Sequence, residues 1–152
     1  MFCPNIVFII MDAVRARNLS CYGYSKPTSP NIDRLAMQGV LFENAFSCTS
    51  ATDSSLTSIF SGKYPISHGI ISHGEKVTTK EIRELELTGT LLLPEILKSK
   101  NYRTMAIDWL GRWHKRGYDY YSGAEQGQIT RYARYVPHLL VRMIAGMLNK
   151  LR

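Results

Sequence analysis

Apolar residues run without a break from Ile6 to Met11, within the segment NIVFIIM at residues 5–11, and then give way to Asp12. A short β-branched run without polar alternation predicts a strand buried on both faces, as in a parallel sheet. A turn-rich stretch follows at residues 21–28. Ser29 then offers a cap, Pro30 a first helical residue and Gly39 a stop, with Ile32, Leu35 and Ala36 on one face between them. Residues 40–46 predict a second strand. A helix is predicted over residues 54–61, with Leu56, Ile59 and Phe60 on one side and Gly62 ending it, so that Thr52 falls at or near its N-terminus. Residues 63–87 read as a long polar connection. Within residues 90–100, Pro94 permits a regular helix to start only near Leu93, and residues 102–108 predict a third strand.

Strands alternating with helices argue for an α/β fold. The aromatic, basic and Gly-punctuated stretch from 110 to 128 reads as irregular surface or pocket wall. Residues 136–152 form an amphipathic pattern, with Leu140, Ile144, Met147, Leu148 and Leu151 on one face and Arg142, Asn149, Lys150 and Arg152 elsewhere. The expected organisation is one α/β unit over residues 1–135 and a basic amphipathic helix over 136–152.

Composition narrows the class. With 45% apolar and 20% charged residues in 152, the chain can bury one core, which excludes disorder throughout. No run approaches the roughly 18 apolar residues of a membrane span, and no basic region precedes Ile6, so a cytoplasmic location is expected. Cys3, Cys21 and Cys48 are odd in number and show no C-x-x-C spacing, which argues against a disulfide framework or a zinc knuckle. The net charge of +7 is uneven: residues 1–97 hold 8 Lys and Arg against 9 Asp and Glu, whereas residues 98–152 hold 11 against 3. Such a tail suits an anionic membrane surface or a partner, and equally a solvated face; no nucleic-acid motif accompanies it, and no nucleic-acid partner is expected.

Two residues carry candidate chemistry. Asp12 stands directly after the predicted buried strand, where α/β sheets collect their ligands, and can serve as a cation ligand or simply cap the next turn. Thr52 stands where backbone N–H groups and the helix dipole favour a phosphate or sulfate group. Its hydroxyl can attack an ester once something withdraws the proton, and a divalent cation shared with Asp12 could do so; helix capping is the other reading.

The ordered blocks Asn5-Ile6-Val7-Phe8-Ile9-Ile10-Met11-Asp12, Leu19-Ser20-Cys21-Tyr22-Gly23, Ser29-Pro30-Asn31-Ile32-Asp33-Arg34-Leu35-Ala36, Gly39-Val40-Leu41-Phe42-Glu43-Asn44-Ala45-Phe46, Ser61-Gly62-Lys63-Tyr64-Pro65 and His68-Gly69 resemble the opening of the sulfatase family, within the alkaline phosphatase superfamily. Asn101-Tyr102-Arg103-Thr104 and Arg116-Gly117-Tyr118-Asp119 look like later landmarks of the same region. The resemblance implies an alkaline-phosphatase-like mixed or parallel sheet flanked by helices, incomplete at its C-terminal side, and metal-assisted hydrolysis of a small sulfuric or phosphoric ester. Asp12 matches the first Asp of the family's metal-binding pair. Thr52 falls where sulfatases carry the Cys or Ser of C-x-P-S-R and where phosphodiesterase-like relatives carry a catalytic Thr. The implied site is therefore Thr52 as nucleophile, with Asp12 and Thr52 on a divalent metal ion, among which calcium, zinc and manganese are not distinguished. A Thr cannot become the formylglycine of typical sulfatases, which favours direct attack by the hydroxyl.

The departures bear on the same site. Ala13 replaces the second Asp of the pair, Leu56 replaces the Arg of C-x-P-S-R, and the Lys and His of the family's G-K-W-H segment have no clear counterparts near Asp108-Trp109-Leu110. His68 and His114 offer polar contacts or are surface residues. The resemblance places a second group of metal ligands, an Asp with an adjacent Asn or His, in a C-terminal half beyond Arg152, and residues 139–152 contain no carboxylate or His to replace it. Two functions follow as expectations. One is an ester hydrolase whose chain is the N-terminal piece of a catalytic domain. The other is an inactive remnant or interaction module whose basic helix binds a partner, an anionic membrane or a missing C-terminal half. An exposed sheet edge would favour self-association.

Overall fold

A computed structural model describes residues 4–108 and 110–122. The elements in order are α1 (Pro30–Gln38), α2 (Thr52–Ser61), α3 (Pro65–His68), α4 (Thr79–Leu87), α5 (Leu93–Ser99), β1 (Met105–Ile107) and β2 (Tyr120–Ser122), with 3₁₀ turns at Ala16–Asn18, Ser20–Tyr22, Gly74–Lys76 and Arg112–Lys115. Strands β1 and β2 pair in parallel, with Met105 opposite Tyr120 and Ile107 opposite Ser122. Among the described residues, helices followed by this small parallel sheet stand in place of the expected alternation of strand and helix. The 136–152 amphipathic pattern and the boundary at residue 135 lie outside the described residues.

Two expected strands are absent among the described residues. Residues 5–11 make no strand ladder, and Ile6, Val7, Phe8, Ile9, Ile10 and Met11 are 40–54% exposed. An apolar β-branched run favours an extended chain, yet a strand exists only through paired neighbours, and none of the described elements supplies them. Phe8 packs instead on Phe60 of α2, with ring centroids 5.7 Å apart. Residues 40–46 likewise form no strand and turn at Glu43 and Asn44, leaving Val40, Phe42 and Phe46 exposed. The third strand is observed, shortened to Met105–Ile107.

Helices follow their punctuation closely. Pro30 opens α1 and Gly39 ends it; Ser29 occupies the N-cap but spends its hydroxyl on Asp33 Oδ1, 2.8 Å away, rather than on the helix amides. Gly62 closes α2 with φ +66°, the left-handed conformation that glycine adopts without strain. Residues 63–87, expected to be a polar connection, contain α3 and α4. The apolar positions Val77, Ile82 and Leu85 are few, so periodicity is faint, but Thr78 and Glu81 form a reciprocal capping box that nucleates α4.

The core gathers around that segment: Ile70, Val77, Leu85 and Trp113 are buried together with Ile82 against them. Residues 110–122 are therefore not merely surface, because the Arg112–Lys115 turn delivers Trp113 to the centre. The sheet is held at its start by Thr104 and Asp119: Asp119 Oδ2 accepts from Thr104 N at 2.9 Å and from Thr104 Oγ1 at 3.1 Å. Among the described residues no helix is long and apolar enough to cross a membrane.

Candidate active site

Helix α2 is unusual in the face it buries. Asp53, Ser54, Thr57 and Ser58 are buried along with Leu56, whereas Ile59, expected on the inner side, is 48% exposed. A buried polar face is tolerable only when each group is paired. Ser54 Oγ donates to Ile70 O at 2.7 Å, Thr57 Oγ1 donates to Asp53 O at 2.7 Å, and Trp113 Nε1 donates to Thr57 Oγ1 at 2.9 Å. Ser58 Oγ meets His68 Nε2 at 2.9 Å. Because Ile70 N–H donates to His68 Nδ1 over 3.1 Å, the ring must carry its proton on Nε2, and burial pushes its pKa down. The surface reading of His68 is thus corrected: the ring is fully buried scaffold.

Thr52 is the first residue of α2, preceded by Ala51 at the N-cap, and no side-chain cap is formed. The capping reading of Thr52 therefore does not hold. Among the described residues its hydroxyl makes no hydrogen bond, and the residue is partly exposed at the end of the helix where the backbone amides lack intrahelical acceptors. Asp12 lies exposed, and its Oδ1 accepts from Ala13 N–H at 3.0 Å in a turn that holds Ala13 at φ +57°. The turn-capping reading of Asp12 describes one oxygen. Asp12 and Thr52 share no hydrogen bond.

Asp53 and His73, which the sequence reading does not name, meet beside the start of α2 with His114, which it leaves between a polar contact and a surface residue. Asp53, 5% exposed, accepts at Oδ2 from Gly74 N–H at 2.7 Å and meets His73 Nδ1 at 2.9 Å. Its Oδ1 lies 3.6 Å from His114 Nε2. His114 is 5% exposed, not a surface residue, and neither ring nitrogen has a hydrogen-bond partner among the described residues. Burial pushes its pKa down, while the carboxylates of Asp53 and Asp108 pull it up and Arg112 pushes it down again. The signal was present directly after Asp108-Trp109-Leu110: Gly111-Arg112-Trp113-His114 has the spacing of G-K-W-H with Arg in place of Lys. That Arg is spent on the scaffold, since its guanidinium donates to Gly74 O and Val77 O, each at 2.9 Å, and stacks 4.7 Å from the Trp113 ring centroid.

A family model for sulfatases matches residues 4–140. The chain belongs to the sulfatase family. It is 30% identical over 139 residues to human N-acetylgalactosamine-6-sulfatase, covering 80% of this chain and 25% of that protein. It is 32% identical over 114 residues to an N-acetylgalactosamine-6-O-sulfatase of Bacteroides thetaiotaomicron, covering 73% and 20%, and 37% identical over 70 residues to an ulvan-active sulfatase of Formosa agariphila, covering 46% and 14%. The chain thus spans a quarter or less of the length of these relatives. No solved structure matches it.

Membership implies an α/β fold and, at the level of the family, hydrolysis of sulfate esters with the help of a divalent metal ion. Among the described residues no group of three His, Cys, Asp or Glu side chains is placed to hold a metal ion. One exposed carboxylate and one hydroxyl do not fill the six or more oxygen positions of calcium or the four ligands of zinc. These residues alone do not fit a complete metal centre.

Proposed function

We propose that this chain contributes the attacking group of a sulfuric or phosphoric ester hydrolase, with Thr52 as nucleophile. The Thr52 hydroxyl, unpaired among the described residues at the amide-bearing end of α2, carries this reading. The oxygen forms a bond to sulfur or phosphorus, the bond to the leaving alcohol breaks, and that alcohol gains a proton; water then releases the group from Thr52 and regenerates the hydroxyl. Backbone amides at the helix end neutralise the anionic ester. His114, beside the carboxylate of the next residue, is proposed as the ring that takes the proton of the hydroxyl and returns it to the leaving alcohol.

Asp12 is proposed as one ligand of the cation that the family uses, with the remaining ligands coming from outside the described residues. Support comes from Phe8, four residues before Asp12, which packs on Phe60 of the helix that Thr52 begins.

The test is turnover of an aryl sulfate and an aryl phosphate, with divalent ions added, by the parent, Thr52→Ala and Asp12→Ala. Thr52→Ala removes at least about 10⁴-fold of the rate. Asp12→Ala weakens activation by the metal about tenfold or more. Equal turnover by parent and Thr52→Ala overturns the reading. A second reading, an interaction module, is favoured by the exposure of Val40, Phe42 and Phe46, at 79%, 70% and 88%. Absence of turnover together with concentration-dependent self-association in light scattering would select it.

A further inference from the structure

A neutral imidazole carries one N–H and one lone pair, so a buried ring with no partner needs an acceptor for its proton. Among the described residues, the carboxylate oxygen in reach of His114 Nε2 is Asp53 Oδ1, at 3.6 Å, outside hydrogen-bond length but within ion-pair range. Asp53 has that oxygen to offer, because its Oδ2 is occupied by Gly74 N–H and His73 Nδ1. Carboxylate and ring also hang on one circuit. Asp53 O accepts from Thr57 Oγ1, Thr57 Oγ1 accepts from Trp113 Nε1, and Trp113 is bonded in sequence to His114. Two buried hydrogen bonds and one peptide link thus tie the backbone of Asp53 to that of His114 and limit how far the pair can drift apart. The other charged groups facing His114 are Asp108, which favours its protonation, and Arg112, which opposes it.

We propose that Asp53 is a positioning residue: its Oδ1 holds the proton of His114 on Nε2 and so reserves Nδ1 as the lone pair that takes or returns a proton during ester cleavage. The use of that lone pair rests on the Thr52 reading, whereas the orientation of the ring does not. His73 grips the opposite oxygen and stands outside the pair, since its side chain is 56% exposed.

The experiment is nitrogen-15 resolved NMR of the full chain at neutral pH, without metal or ester, on the parent, Asp53→Asn, His73→Ala and Thr52→Ala. In the parent His114 shows one tautomer, with its proton on Nε2, shifted downfield and slow to exchange. Asp53→Asn keeps an acceptor for Gly74 N–H but loses the charge, and the His114 proton moves upfield or exchanges away. His73→Ala and Thr52→Ala leave it in place. A parent ring protonated on Nδ1 overturns the proposal without any variant, as does an Asp53→Asn protein whose His114 proton is unmoved. Failure of the Thr52 reading appears instead as turnover surviving Thr52→Ala, with the His114 signal intact.

Discussion

Trp113 and Thr57, 56 positions apart in sequence, are joined by a 2.9 Å hydrogen bond from the indole nitrogen to a hydroxyl that is itself fully buried. This contact ties the late 3₁₀ turn to the middle of α2 and sets the height at which His114 meets Asp53. Trp113→Phe keeps a ring in the core but removes the donor. The cost expected is about 1–3 kcal/mol, read as a fall in the denaturant midpoint. A midpoint equal to that of the parent would show that the bond contributes nothing.

Much of this arrangement could be read from the chain, and the reasons it could not all be read are physical. Pro30, Gly39, Gly62 and Pro94 mark helix ends through local backbone rules, and the helices end where those residues stand. Residues 5–11 announce an extended conformation, but pairing is a property of neighbours that the segment itself does not encode. The helix over 79–87 was hidden because a capping box, not an apolar stripe, defines it. The position of Thr52 at the start of α2 was legible because a helix end is a local pattern. The grouping of Asp53 and His73 with His114 was not legible because it depends on contacts across 20 to 61 residues, although the Gly111-Arg112-Trp113-His114 spacing stood in plain view.

Glu81 supplies a pH-dependent strut. Burial alone would raise its pKa, but the amides of Thr78, Ser72 and Ile71 and the hydroxyl of Thr78 outweigh it and bring the value from 4.5 down to about 2. A carboxylate whose pKa is lower folded than unfolded contributes stability that is complete above the unfolded value and disappears as pH falls toward the folded one. Thermal melting between pH 5 and pH 2 should therefore show a falling Tm, and Glu81→Gln should flatten that fall while lowering stability at neutral pH by about 1–3 kcal/mol. An unchanged acid slope in Glu81→Gln would contradict this.

Gly117 sits at φ +80°, and a Cβ there would collide with the backbone nitrogen of Glu95. The contact lies beside the Arg116–Glu95 ion pair at 2.9 Å, which also brings Arg116 to Thr90 O at 2.9 Å. Gly117→Ala combines backbone strain with a clash against main chain, so a loss of about 2 kcal/mol or more is expected in equilibrium unfolding. A loss under about 0.5 kcal/mol, the range of an ordinary surface change, would mean that the α5 contact is dispensable.

The proposed mechanism requires the hydroxyl of Thr52 to be the atom that attacks the ester. Mass mapping of peptides from protein quenched during turnover, with aryl sulfate and aryl phosphate as substrates, looks at that atom directly. A sulfuryl or phosphoryl group on Thr52, absent from Thr52→Ala, is the result predicted. Turnover with no group on Thr52, or with the group on another side chain, would contradict it.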